Sequence, residues 1–271
     1  MEFIEPKYKS LCIAMTKNGT CQYKARYGPY CGVHKYHFEK SVKETQEKEI
    51  VSKIIQTAPE SQITVKKRHQ CGKVYIASMN LRGKWADRPE GAVLLNVTSA
   101  QGKDNKNRRD FSPMSPVEGG YKGFLNFEAY WQSGKVIKGI PHAQTLKWWM
   151  NITEPKRRYP NSKGKQILYS TWDHIPEHLG YVESRKRVYV PEYYELVINR
   201  EMTQHWISVV KKCQDVVIYD FDGPRDEDGS PVCLEVDVDL LREKINDGTY
   251  PFGHGYIIAG ILLGIKPEMY V

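Results

Sequence analysis

The sequence predicts an α+β chain in which a small N-terminal cysteine-rich knuckle precedes a mainly helical domain with a few short strands. Three observations predict it. Cys12, Cys21, Cys31 and His34 stand as C-x8-C-x9-C-x2-H. Short, mainly apolar runs, Val74–Ala77, Val93–Val97 and Val216–Tyr219, read as strands, with Gly83 and Pro89-Glu90-Gly91 supplying turns. Residues 127–135 carry Glu128, Gln132 and Lys135 at i, i+4 and i+7, and on a helix those spacings fall on one face. The expected organisation is a knuckle at 1–37, a linker helix at 38–60 and the main domain at 61–271.

The knuckle comes first in the chain. Three thiolates and one imidazole match a closed structural zinc site with no open position for catalysis. His37, three residues beyond His34, is an alternative ligand. The segment is too short and polar to fold unaided, so zinc would supply its folding energy. Lys7, Lys9, Lys17, Lys24 and Arg26 alternate with Tyr8, Tyr23, Tyr27 and Tyr30. Interleaved cations and aromatics suit phosphates and bases, and equally suit a polar surface over a small aromatic core. The pattern resembles short Cys-rich docking modules at the ends of phage, bacterial and viral proteins.

His37 to Gln56 is charged with an apolar minority of Phe38, Val42, Ile50, Ile54 and Ile55, which reads as a surface helix ended by Pro59. After the strands at 74–77 and 93–97, Gly102 to Arg109 is polar and basic and reads as a mobile loop. Pro113 and Pro116 exclude helix interior, and Gly119-Gly120 marks a turn before the Glu128 helix. Residues 154–165 form a second basic loop, and 191–213 one or two helices with Pro191 in the first turn. A buried strand at 215–222 and a strand passing into a helix at 239–245 follow, with a short core helix over Tyr256–Leu263. Trp148, Trp149 and Trp172 read as core, and Cys71, Cys213 and Cys233 as structural thiols.

Charge is unevenly spread along the 271 residues. It is +6 over 1–70, +2 over 71–100, +8 over 101–190 and −8 over 191–271. The first two-thirds is therefore a candidate DNA- or RNA-binding surface and the last third is not. No run approaches 18 apolar residues, so no membrane span is expected. Six cysteines and the lack of a secretory signal point to a reducing compartment. That would be the cytoplasm, or the host-cell cytoplasm for a phage or viral protein.

The stretch Phe111-Ser112, Gly119-Gly120, Phe127-Glu128-x-Tyr130-Trp131-Gln132-x-x-Lys135 resembles the core motif of the NADAR superfamily, with Val97-Thr98-Ser99 where that family has a short strand ending in Ser. The similarity covers about residues 93–138. The family's later W-G-x-G and N-x-x-G signatures lack a clear counterpart. Asp220-Phe221-Asp222-Gly223 and Phe252-Gly253-His254-Gly255-Tyr256 are candidates for their places. The resemblance implies a NADAR-like N-glycosidase, a hydrolase that cleaves between a ribose anomeric carbon and a nitrogen. Such enzymes release ADP-ribose from modified guanine in nucleic acid or hydrolyse a riboflavin-pathway intermediate. It casts Glu128 and Lys135 as catalytic: a carboxylate that stabilises positive charge or moves protons, and a neutral amine that attacks the anomeric carbon. Gln132 would orient a ribose hydroxyl, and Gly119 and Gly120 would let backbone approach the ligand. Phe111, Ser112, Trp131, Arg108, Arg109 and His254 complete the expected substrate contacts.

Two other readings stay open. A metal-dependent nuclease would use Asp220, Asp222 and Glu235 with His254 as base; such aspartates more often only cap a turn. A non-catalytic nucleic-acid-binding zinc protein would bind through its basic first two-thirds. The knuckle itself makes a prediction. Metal analysis of the purified chain should find one zinc, and Cys12→Ser/Cys31→Ser should lose it; retention of the zinc with an intact fold refutes the ligand set.

Overall fold

The computed structural model describes residues 72–81 and 88–271, together with Met15–Thr16 and Gly19–Thr20. Cys12, Cys21, Cys31 and His34, the linker helix expected at 38–60, and Cys71 lie outside the described residues. The chain divides into two units, residues 1–66 and 67–271. In the first, β1 (Met15–Thr16) pairs antiparallel with β2 (Gly19–Thr20).

The second unit is mixed α+β. Its elements begin with β3 (Val74–Ser78), β4 (Val93–Asn96), α1 (Lys106–Phe111), α2 (Phe127–Ser133), β5 (Lys135–Ile137) and α3 (His142–Met150). The strands β6 (Ile167–Trp172) and β7 (Ile175–Leu179) come next, then α4 (Tyr181–Ser184), a π turn (Arg185–Tyr189), α5 (Val190–Val197) and α6 (Glu201–Lys211). The chain closes with β8 (Val216–Asp220), β9 (Cys233–Glu235), α7 (Val238–Asn246) and α8 (His254–Leu263).

The larger sheet runs β4-β8-β3-β9. β8 is parallel to both β3 and β4, and β9 is antiparallel to β3. Every residue of β8 is buried, which explains its unbroken Val-Val-Ile-Tyr run: a central parallel strand is covered on both faces. Val74, Ile76, Leu95, Val216 and Ile218 belong to the main core, while Ala77, Val217 and Tyr219 form a smaller cluster with Met79. α8 packs against β3 and β8 and is buried from His254 to Leu262, as an almost wholly apolar helix must be. A second, antiparallel sheet runs β5-β6-β7. Trp149 and Trp172 are core residues as expected, and Trp148 packs against that core partly buried.

Several expectations need correction. The basic stretch at 102–109 is not all loop: Asn105 accepts from the Arg108 amide at 3.1 Å and caps α1. Pro191 stands in the first turn of α5, as expected, but the helical path itself begins earlier, at Tyr181, and reaches α5 through the π turn. Cys213 is exposed in a left-handed conformation (φ 63°) rather than packed inside. Lys135 is not on the helix of Glu128. Gly134 is the C-cap of α2, where a Cβ would lie 2.2 Å from Cε2 of Trp172 so that only glycine fits, and Lys135 is the first residue of β5.

The π turn delivers Arg185, 2% exposed, into the interior. Its guanidinium donates to the carbonyls of Lys244, Ile245 and Asp247 at 3.2, 3.3 and 2.8 Å, and to that of Tyr250 at 3.1 Å. These bonds close the C-terminal end of α7, where the helix dipole favours a cation, and fix the loop that leads into α8. Arg185→Met should therefore cost about 3 kcal/mol, since it leaves several carbonyls unpaired. Arg187→Met, which removes only an exposed pair with Glu177, should cost less than about 1 kcal/mol. Urea unfolding of the two variants checks the contrast.

Candidate functional site

The site is assembled where β4 and β8 end. Ligand crevices form outside the carboxyl ends of parallel strands because loops and helix N-termini converge there. β4 leads into Val97-Thr98-Ser99 and β8 into Phe221-Asp222. Asp220, 1% exposed, accepts the amide of Gly255 at 2.8 Å and lies 3.3 Å from Nδ1 of His254. It thus supplies the side-chain cap that Gly253 cannot give to α8. The glycines flanking His254 are required by this approach. A Cβ on Gly253 would sit 2.5 Å from Oδ2 of Asp220, and one on Gly255 2.8 Å from its Cβ. Nε2 of His254 is 3.0 Å from the carbonyl of Val97, so the imidazole ties the ends of both strands to α8.

α2 closes the opposite side. Asn126 accepts the amide of Ala129 at 2.8 Å and donates to the carbonyl of Met114 at 2.8 Å, while the Glu128 amide donates to Pro113 at 2.9 Å. The Ser112-Pro113-Met114 segment is thereby strapped to the start of α2. Phe127 packs into a cluster with Tyr189 and Tyr193, and Trp131 stacks on Trp172 at 5.5 Å. With these rings facing inward, Glu128 and Gln132 are left on the other face, joined by a 2.7 Å hydrogen bond from Gln132 Nε2 to Glu128 Oε1.

Between these elements lies one cleft of three lobes. A lobe of about 230 Å³ holds Glu128, Ser112, Thr98, Tyr189, Asp222 and His254. A second of about 230 Å³ holds Glu128, Gln132, Lys135, Tyr189, Arg185 and Asp222. A third of about 260 Å³ shares Gln132 and Lys135 with the second and Arg157 with the first. Lys135 therefore joins the same hollow as Glu128 although it left the helix. Its ammonium is 5.2 Å from the centroid of the Trp131 ring, and it makes no hydrogen bond or ion pair among the described residues.

The electrostatics follow from burial. Desolvation lowers the Lys135 pKa below the usual lysine range, against the pull of Glu128 and Asp222. Asp222 stands at the rim, exposed by area. Even so, desolvation first, then the charges of Asp220 and Glu128, push its carboxyl up to about 6, opposed by His254 and Lys135. Tyr189 is held well above the ordinary phenol range, chiefly by burial, and stays protonated.

Of the expected contacts, the structure brings together Glu128, Lys135, Gln132, Trp131, Ser112 and His254. Others stand apart. Phe111 is wholly buried, and its carbonyl accepts the hydroxyl of Tyr193, so it is core. Gly119 and Gly120, at φ 73° and 81°, make the turn before the Tyr121–Phe124 bridge and line none of the three lobes. Arg108 donates to the Gln101 carbonyl at 2.6 Å, and Arg109 pairs with Asp110 at 2.9 Å, both away from the cleft. The second basic loop supplies Arg157 instead. Tyr189 carried no sequence signal. Glu235 does not join the two aspartates. It lies opposite Tyr75 and pairs with Lys73 at 2.8 Å, whereas Asp220 lies opposite Ser78 at the other end of β3. Among the described residues no group of three or more His, Cys, Asp or Glu is placed to hold a metal ion. None of the described helices is long and apolar enough to cross a membrane.

The raised Asp222 pKa has a thermodynamic consequence. Between the ordinary carboxylate range and about pH 6 the folded chain keeps a proton that the unfolded chain has released, so this group's contribution to stability falls as pH rises through that window. Asp222→Asn should lack that decline and gain stability relative to the parent above the window. Urea midpoints of both proteins over a pH series read it; parallel profiles refute it.

Compared with family models, curated proteins and solved structures, the chain matches none.

Proposed function

We propose that the cleft is the active centre of a NADAR-like N-glycosidase, and that the substrate is a ribosylated nucleobase or nucleotide, such as ADP-ribosylated guanine in nucleic acid. One observation carries the reading: a lysine with a lowered pKa and two carboxyl groups line one sugar-sized hollow. A lysine whose desolvation outweighs two nearby carboxylates is costly to the fold, and that cost has a use in supplying a neutral amine.

The chemistry balances as follows. The neutral Nζ of Lys135 attacks the anomeric carbon; the N–C bond forms as the bond to the base breaks, and the electron pair leaves on the base nitrogen. The carboxyl of Asp222, poised by its raised pKa, protonates that nitrogen. Glu128 faces the positive charge that develops on the sugar and carries a proton from the new C–N nitrogen to the ring oxygen, opening the sugar to a Schiff base. Water then adds to the anomeric carbon, returns a proton to Asp222, and the Lys135 amine departs. One water is consumed; the unmodified base and the sugar with whatever it carries, ADP-ribose in the case of ADP-ribosylated guanine, result. Gln132 holds Glu128 in place rather than offering its amide N–H to the sugar. The zinc knuckle would act as a docking element for the substrate-bearing nucleic acid.

The nuclease reading loses its third carboxylate, because Glu235 is at the far end of β3. Borohydride added during turnover of an ADP-ribosylated guanine oligonucleotide should trap one ribosyl adduct, mapping to Lys135. Lys135→Ala should give no adduct, and Glu128→Gln should slow release by about 10²–10⁴-fold. Parent-like rates in both variants would sink the proposal.

A further inference from the structure

Glu128, Tyr189 and Asp222 are the three residues that the first two lobes of the cleft share, so they stand where one lobe opens into the other. Two of them are carboxyl groups. Tyr189 brings a hydroxyl that stays protonated, because burial holds its pKa well above the ordinary phenol range. Its ring is fixed on three sides. It meets Trp131 edge-on at 5.0 Å and Phe127 edge-on at 5.3 Å, and it stacks on Tyr193 at 6.1 Å. The two stacked tyrosines differ at their tips. The hydroxyl of Tyr193 donates to the carbonyl of Phe111, whereas that of Tyr189 makes no hydrogen bond among the described residues. Tyr189 is only 7% exposed, and a phenol so placed normally has an acceptor. It is also the last residue of the π turn, an irregularity that recurs at functional sites.

We propose that Tyr189 makes the cleft selective for ribose: its hydroxyl donates to the sugar oxygen on the carbon next to the anomeric carbon, so that 2-deoxyribosides are poor substrates. That the ligand is a sugar rests on the N-glycosidase reading; the unpartnered donor rests on the geometry alone. If the base lies in the first lobe and Nζ of Lys135 reaches the anomeric carbon from the second, the sugar spans the junction where Tyr189 stands. Glu128 and Asp222 are each committed there to a proton transfer. Gln132 is already bonded to Glu128, and Thr98 Oγ1 donates to Asn96 at 2.8 Å. Tyr189 is therefore the residue of the junction with a standing donor to give, and the neighbouring hydroxyl is the one closest to the reacting bond. A deoxy sugar would shut water out of the cleft and leave the phenol unpaired. A site built around such a donor rejects the analogue that lacks its acceptor.

Sugar release from two modified guanine oligonucleotides tests this, one carrying ADP-ribose and the other the analogue without the 2-hydroxyl on the linked ribose. The ratio of their kcat/KM values, ribosyl over deoxyribosyl, should fall at least about tenfold from the parent to Tyr189→Phe. The intrinsic reactivity of the two bonds is the same in both proteins and cancels, as does any loss of folded protein. A ratio that does not move, whether both rates drop alike or neither drops, overturns the proposal. Calorimetry of the parent gives a reading independent of turnover. ADP-ribose should bind at least about tenfold tighter than its counterpart lacking the 2-hydroxyl on the terminal ribose, and equal binding also overturns it. A parent that releases no sugar and traps no borohydride adduct, yet shows this binding preference and loses it in Tyr189→Phe, would sink the glycosidase reading and leave the sugar contact standing.

Discussion

The buried carboxylate of Asp220 organises the second unit. It ends the central strand, caps the core helix through Gly255 and faces His254, whose other nitrogen reaches the end of β4. A charge that is 1% exposed is tolerated only where dipoles and a potential cation meet it, and the amino end of an apolar helix provides both. The glycines on either side of His254 exist because nothing larger fits against that carboxylate. Two strand ends and a helix start are thereby fixed at one point, and the loops leaving that point form the walls of the cleft.

The opposite wall depends on a close approach. Trp172 occupies the space that a side chain at position 134 would need, so glycine stands where α2 ends and the chain passes into β5. The Trp131 ring, stacked on Trp172, lies beside Nζ of Lys135. Apolar mass on one side and carboxylates on the other pull the amine's pKa in opposite directions, and desolvation wins. The lowered pKa of this amine is a result of packing rather than of any charged neighbour.

Charge is also arranged in three dimensions. The basic middle of the chain contributes Lys135, Arg157 and the 158–165 loop, while the acidic last third contributes Asp220 and Asp222. The cleft lies where the two meet, cationic at one end and carboxylate-bearing at the centre. Such polarity suits a ligand with an anionic end and a cationic reacting centre.

Much of this was legible in the chain. Short apolar runs between turns marked the strands at 74, 93 and 216, since a buried strand needs an apolar surface on each covered face, and the E-x3-Q spacing placed Glu128 and Gln132 on one helical face. The sequence also showed the second basic loop and the glycine-flanked histidine that line the cleft. It could not separate Phe111, Arg108 and Arg109 from the site, because a motif reports residues in register and not which way they face. Nor could it show that Lys135 reaches the hollow from a strand, that Tyr189 lines it, or that Asp222 titrates near neutrality. Local sequence determines periodicity, turns and caps because those are short-range steric and hydrogen-bonding effects. Burial, pKa and the meeting of residues far apart in the chain were decided only by the tertiary structure, because desolvation and long-range charge depend on what the fold packs around each group.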